Sequence, residues 1–415
     1  MANSAQARPV EEPHPITGIT QTEAMHTLIA GFLGWTLDAF DFFVLVFVLP
    51  TVAKEFHRSV ADLAFTITAT LALRPIGAFA FGWLADRYGR RVPLMIDVIF
   101  YSAIEVASGL APSYGWFLFL RALYGIGMGG EWGVGASLSM EAAPPKWRGL
   151  LSGLLQEGYA VGYLMAAAAY FFVFPHFGWR PMFFLGGAPA LLTLYIRTKV
   201  PESKAWERSR PEPKDIIGAI RRNLRRFLYL VGLMTTMSLI SHGTQDLYPT
   251  FLEKGRGFDP RTVATIAITY NLGALAGGFT FGWLSDSFGR RRAMITAALL
   301  GVLVVPLWSY PESRVLLTIG AFLMQFMVQG VFGVIPAHLA EMSPPEARGL
   351  FSGMAYQLGV LLASPAAYGE ALIAQHLSYG ASLALVATTV LLADAFMIAI
   401  GSERRGTNLH AEPGT

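Results

Sequence analysis

The sequence predicts an all-α membrane protein whose twelve transmembrane helices form two parallel six-helix repeats. Three observations predict it. Of 415 residues, 53% are hydrophobic and 14% charged, whereas soluble domains carry about 25% charge. Twelve apolar stretches each approach the ~20 residues that a helix needs to cross a ~30 Å hydrocarbon core. The second half of the chain also restates signatures of the first at a fixed offset of 200 residues.

Residues 1–26 carry Pro9, Glu11, Glu12, Pro13 and Pro15 and lack the basic start and apolar core of a secretory signal, so they read as a cytoplasmic tail. The spans follow at 27–50, 63–84, 92–111, 115–140, 149–173 and 180–198, then at 227–252, 263–284, 293–310, 314–338, 349–374 and 378–401. Gly and polar residues interrupt the fifth and eleventh. A charged linker at 199–226, with Pro201, Pro211 and Pro213, divides an N-terminal bundle (27–198) from a C-terminal one (227–401), and 402–415 form a second tail. Loops on the side of the termini hold 22 Lys and Arg against 7 opposite, which places the termini and linker in the cytoplasm of a plasma membrane, a bacterial inner membrane. The absence of Cys removes disulfides, thiol chemistry and Cys-ligated metals. There is also no His-Glu-x-x-His, so neither a metal site nor an enzyme is expected.

The repeat is specific. Phe81-Gly-Trp-Leu-Ala-Asp-Arg-Tyr-Gly-Arg-Arg91 recurs as Phe281-Gly-Trp-Leu-Ser-Asp-Ser-Phe-Gly-Arg-Arg291. At the same offset Glu141, Pro144, Pro145, Arg148-Gly-Leu and Ser152-Gly recur as Glu341, Pro344, Pro345, Arg348-Gly-Leu and Ser352-Gly. Gly82, Asp86, Arg87, Gly89, Arg90 and Arg91 resemble the loop signature of the major facilitator superfamily, and the likeness in helix count and repeat covers essentially the whole chain. The resemblance implies a gate in which these residues form a charge network at cytoplasmic helix ends and hold an outward-open state. Asp286 and Arg290 carry the same implication for the second copy, although Ser287 stands where the first has Arg87. A plain positive-inside anchor would account for the arginines but not for Gly82 or Asp86.

Several polar residues lie within the spans. Arg74 sits about ten residues, ~15 Å, from the cytoplasmic end of the second span, too deep to snorkel, and needs an anionic partner. That partner is either Asp38 or Asp41, as a structural pair, or a substrate carboxylate held bidentately. Asp38 and Asp41 share one face of the first span, where burial and a nearby Arg compete over a proton. Arg121, with Gly125, Gly129 and Gly133 following, resembles the fourth-helix motif of proton symporters in that superfamily, which implies pairing with Asp38 or Asp41. The glycine face reads as packing. Gln156 and Gln357 occupy neighbouring positions of the two repeats and read as cavity-lining. Glu105, Glu131, Glu157 and Asp394 are further acids in or near spans.

The stretch from Ser238 to Thr250 concentrates polar groups in the seventh span, with His242 and Asp246 four apart on one face. Ser241, His242, Thr244, Gln245, Asp246 and Thr250 resemble the seventh-helix motif of lactate/pyruvate–proton permeases in the sialate:proton symporter group, with Ser238 replacing an Asn. A structural His–Asp bond would leave Ser241, Thr244 and Gln245 unexplained. The resemblance implies a proton-coupled symporter of a small monocarboxylate, lactate or pyruvate. Arg74, His242, Gln245, Gln156 and Gln357 would bind substrate, and Asp38, Asp41, Arg121 and Asp246 would carry the proton. Sialic acid or another organic acid is the alternative substrate, and a non-transporting receptor the alternative class. The expected partners are a small organic anion, a proton and the bilayer, with no nucleic acid, no cofactor beyond the coupling proton, and a monomeric chain.

Overall fold

A computed structural model of the protein describes residues 14–410 apart from positions 16, 211, 246 and 375. Helices make up 84% and no strand occurs among the described residues. Twelve helical segments run back and forth. Helix α1 is Gln21–Glu55, α2 Val60–Tyr88, α3 Arg91–Gly109 and α4 Tyr114–Ala142; α5 joins Arg148–Gln156 to Gly158–Phe172, and α6 joins Arg180–Leu185 to Pro189–Lys199. The second set comprises α7 (Leu224–Gln245, then Tyr248–Thr250), α8 (Pro260–Phe288) and α9 (Arg290–Ser309), followed by α10 (Arg314–Phe332, then Ile335–Met342), α11 (Arg348–Ala363, then Ala366–Ile373) and α12 (Tyr379–Ile400). Seven of these, α1–α3, α8–α10 and α12, are long and apolar enough to cross a membrane by length and composition. The other five carry polar side chains or breaks, and it is those groups, not the whole helices, that must turn toward protein or water. Ile76, Phe79, Ile96, Ile99, Phe171, Leu303 and Phe396 are exposed on the outside, an apolar surface suited to lipid contact.

Local signals set the helix starts. Thr20 and Glu23 form a capping box on α1, with Glu23 N–H to Thr20 Oγ1 at 3.2 Å and Thr20 N–H to Glu23 Oε2 at 2.8 Å. Ser59 and Asp62 repeat it on α2. Gly89 and Gly289 end α2 and α8 with φ of +100° and +103°, a left-handed region that glycine enters without strain. Glu202 and Glu403 then accept the first amides of α3 and α9: Arg90 and Arg91 donate to Glu202, Arg290 and Arg291 to Glu403. Burial pushes the Glu202 carboxyl upward, with Ser203, Arg90 and Arg91 N–H groups opposing the rise.

Helix α7 departs from the sequence expectation. It stops at Gln245 instead of running on to 252, and Tyr248–Thr250 starts a new turn with Pro249 near its front. Pro249 has no N–H to give the Gln245 carbonyl and crowds it, which favours a break here, although α1, α2 and α9 carry Pro50, Pro75 and Pro306 without one. Tyr248 anchors the restart by stacking on Trp308, with centroids 4.9 Å apart.

Small residues let the helices close on one another. A Cβ on Gly125 would lie 2.1 Å from Thr70 O, and one on Gly129 1.9 Å from Arg74 O, so the α4 glycine face is packing against α2. A Cβ on Gly77 would lie 1.7 Å from Ile126 O, while nothing lies within 4 Å of one on Gly115. Gly77→Ala is therefore expected to destabilise the purified protein by about 1–3 kcal/mol or more. Gly115→Ala should leave the thermal-unfolding midpoint unchanged or raised, and equal midpoints for the two variants would refute this packing account.

The two halves meet along two seams. On one, α5 lies on α8, with Gly149 and Gly153 against the carbonyls of Gly282 and Gly278. On the other, α11 meets α2 and α4, where Gly82 faces Leu350 and Gly133 faces Gly353. The linker folds as helices Lys204–Ser209 and Pro213–Arg222, and Ile216 and Ala219 pack on Ala347 and Leu350. Thr17, Ile19, Ser203 and His410 surround one small crevice, so both described chain ends lie on the linker face.

Candidate functional site

On the linker face the repeat motifs interlock across the halves. Asp86 accepts the Gly349 N–H at 3.0 Å and the Leu350 N–H at 2.8 Å. Asp286 accepts the Gly149 N–H at 2.7 Å and the Leu150 N–H at 2.9 Å. Each carboxylate thus sits at the start of a helix of the opposite half, where free amides and the helix dipole favour negative charge. Arg90 pairs with Asp86 and Glu141, and Glu141 also takes Arg348 at 2.6 Å. In the second copy Arg290 pairs with Asp286 and Glu341, and Glu341 takes Arg148 at 3.1 Å. The linker face is closed by this double lock.

Two expectations change. Arg87 stands outside the lock, half-buried, with its guanidinium 5.6 Å from the Tyr88 ring. Ser287 therefore costs the second copy nothing, because Arg290 does the pairing. Arg91 reaches back to the Arg197 carbonyl. Glu141, Glu341, Arg148 and Arg348 were not singled out as gate residues, yet the offset-200 repeat contains all four.

The C-terminal segment straps the lock. Arg148 donates to Thr407 O at 3.0 Å and Arg348 to Leu409 O at 3.3 Å, and His410 Nε2 donates to Glu141 O at 2.9 Å. Burial pushes the His410 imidazole down to about 4 from its ordinary 6.5. The sign follows: a released tail takes up a proton below its ordinary pKa, while the docked ring stays neutral until far lower pH. Docking is fully present above pH 6.5 and weakens as pH falls from there toward 4, by about tenfold per pH unit for one proton. Hydrogen exchange at the 407–409 amides, corrected for intrinsic rates, should report this, and His410→Gln should remove the pH dependence. An unchanged dependence in that variant would refute the assignment.

Deeper in the N-terminal half lies a chain of acids. Asp38 is fully buried; its Oδ1 accepts the Tyr124 hydroxyl at 3.2 Å and its Oδ2 has no partner. Both oxygens of Asp41, Asp97 and Glu131 are likewise unpaired and buried. Arg121 does not pair with Asp38 or Asp41: it donates to Glu105 at 2.6 Å and Ser108 at 2.6 Å, and its guanidinium lies 4.6 Å from the Tyr124 ring. The missing side chain of Gly186 leaves room for Glu105 and Asp41 side by side, since a Cβ there would lie 2.2 Å from Glu105 Cγ and 2.6 Å from Asp41 Oδ1. Asp41 is left within electrostatic reach of both Glu105 and Arg121.

Arg74 is 5% exposed and forms no ion pair within 4.0 Å among the described residues. The structural pair with Asp38 or Asp41 is absent. Asp38, Glu131 and Tyr356 lie within electrostatic reach. Tyr356, from the other half, stacks on Trp132 with centroids 4.0 Å apart, and Trp132 Nε1 donates to Gln156 at 3.4 Å. Gln357 Nε2 donates to Gly129 O at 3.5 Å and its Oε1 is unpaired. The fold therefore brings Arg74, Gln156 and Gln357 to one cluster where the halves meet. Trp132 and Tyr356 belong to it too, and nothing in composition or spacing distinguished them from core aromatics.

In the C-terminal half Gln245 Nε2 donates to Gln325 at 2.8 Å, and Gln325 donates to Thr244 at 3.3 Å. His242 is half-buried on the same helix. Asp246 lies outside the described residues. Gln325 was missed because an amide in an apolar span carries no charge to mark it.

A family model described as Major Facilitator Superfamily matches residues 31–259 and 247–413. The chain is 29% identical over 83% of its length to a carboxylic acid transporter protein homolog of Saccharomyces cerevisiae, of which it spans 61%. It is 27% identical over 91% of its length to the sialic acid transporter NanX of Escherichia coli, covering 94% of that protein. The fold superposes on the proton:xylose symporter XylE with a TM-score of 0.75 at 21% identity, covering 94% of this chain and 98% of that one. The human organic anion transporter MFSD10 gives 0.75 at 17%, over 91% and 100%.

Proposed function

Because the chain belongs to the Major Facilitator Superfamily, whose members are transporters and not enzymes, we propose that it carries a small monocarboxylate, lactate or pyruvate, together with a proton by alternating access. The observation that carries this reading is Arg74: a permanent cation, buried at the meeting of the halves, with no ion-pair partner among the described residues. A guanidinium presents paired donors that match a carboxylate's two oxygens. Gln156 and Gln357 stand beside it to hold the rest of a small anion, and His242 and Gln245 complete the site from α7. Asp38, Asp41 and Arg121 handle the proton. The protein works without a cofactor, as a monomer, in a bacterial inner membrane with both ends in the cytoplasm, and the lock on the linker face then corresponds to an outward-open state.

One proton entering with one monoanion is electroneutral, so the pH gradient and not the voltage drives uptake. Reconstituted protein should accumulate labelled lactate when the outside is acidic, and a protonophore should abolish the accumulation. Uptake indifferent to the protonophore would refute proton coupling. Sialic acid or another organic acid is supported about equally by the relatives, among them transporters named for sialic acid, 4-methylmuconolactone and niacin. Competition for lactate uptake by each of these decides between them.

A further inference from the structure

We propose that Glu157 is a proton-operated latch on the α5–α8 seam: in its neutral form it lets the linker face stay closed, and in its ionised form it drives that seam apart. The seam geometry stands by itself; only its use in transport rests on the proton-coupled reading above.

The two seams are built from equivalent positions. Gly149, Gly153 and Glu157 follow one face of α5 at intervals of four, and Gly349, Gly353 and Gln357 follow the same face of α11. Only the third position differs in kind, an acid in one seam and its neutral amide counterpart in the other. Gln357 is suited to its seat, because its Nε2 donates to the Gly129 carbonyl at 3.5 Å. Glu157 has no such donor when ionised. Its Oε1 fills the space left by Gly278, 1.9 Å from where a Cβ would stand, and it has no hydrogen-bond partner. The groups known at that corner are uncharged: Gln329 O, already taken by the Gly333 N–H, lies 3.5 Å from the same point, Gln329 Oε1 is unpaired, and the Trp35 indole N–H on the α1 side is buried and unpaired as well.

The elements packed around Glu157 supply no counter-charge among the described residues. Helix α8 gives Gly278, α10 gives Gln329, α1 gives Thr36, Phe32 and Trp35 against the neighbouring Gly158, and α4 gives Trp132. A carboxylate with no partner is strongly disfavoured in such a place, whereas a neutral carboxyl has an O–H to offer a carbonyl. Protonation therefore favours the closed seam. The same helix face carries the next step, because Gly149 and Leu150, two turns before Glu157, donate their amides to Asp286 in the lock. Parting α5 from α8 withdraws those amides.

The test is a distance measured between the halves. The chain contains no cysteine, so Tyr88→Cys and Phe288→Cys supply the only thiols for spin labels, at exposed ends of α2 and α8 (58% and 45% exposed). For a single linked proton the long-to-short distance ratio should rise by about tenfold per pH unit across the latch's titration, and by less than about twofold in Glu157→Gln. Asp286→Asn, which weakens the lock without touching Glu157, should raise the long-distance population at every pH and so show that the labels can report opening. In liposomes Glu157→Gln should keep lactate exchange but lose proton-driven accumulation. A Glu157→Gln protein whose distances follow pH as the parent's do overturns the proposal, as does a parent whose distances ignore pH. If distances follow pH through Glu157 while uptake ignores the protonophore, the latch stands and the symport reading falls.

Discussion

Replacing Arg74 with alanine is expected to abolish saturable carboxylate uptake and to remove the thermal stabilisation that lactate or pyruvate gives the purified protein. Truncating one partner of a buried, hydrogen-bonded charge pair costs about 2–5 kcal/mol, roughly 30- to several-thousand-fold in affinity. The effect should be at the large end, because nothing else in the cluster is cationic: Gln156, Gln357, Trp132 and Tyr356 offer only neutral donors. Arg74→Lys should recover part of the binding, since an ammonium restores the charge without the two-pronged donor geometry. Lactate stabilisation that survives Arg74→Ala would remove Arg74 from the site.

Glu141→Gln is expected to open the linker face. Glu141 is shared by Arg90 and Arg348 from opposite halves, so its neutralisation takes the carboxylate from Arg348 and leaves Arg90 with Asp86 alone. Removing one partner of a buried ion pair typically destabilises by about 3–5 kcal/mol, enough to invert a conformational equilibrium. Ser352, buried against Ser137 of the other half at 3.4 Å, provides the reporter. In a Ser352→Cys background the thiol should be shielded from a maleimide, and Glu141→Gln should make it reactive. Equal labelling rates would show that the lock does not hold the face closed.

The fold was legible because bilayer physics writes itself into sequence as apolar length, and the repeat as identity at one offset. The lock was legible only in part. Asp86 and Gly82 carried enough local signal to be singled out, but their partners, Gly349 and Leu350, lie far along the chain, and no local periodicity encodes who meets whom. Arg87 misled for the same reason: a charged residue in a motif says nothing about which way its side chain leaves the helix. Arg121 pairs with Glu105, sixteen residues back on α3, and nothing in the local pattern marks which buried acid the guanidinium reaches. The break in α7 falls at Pro249, yet α1, α2 and α9 pass through Pro50, Pro75 and Pro306 unbroken, so a proline by itself does not tell a break from a kink.

The crosswise lock also bears on how the chain is made. Asp86 receives its amides from residues 263 and 264 positions further on. At roughly 5–20 residues per second, a ribosome takes on the order of 10–50 s to deliver them. For that interval the acid lacks those amides, and Arg90, just past the Gly89 turn at the start of α3, is the partner already at hand. That neighbour acts as an interim escort, neutralising the carboxylate at the linker face until the second half of the message has been read.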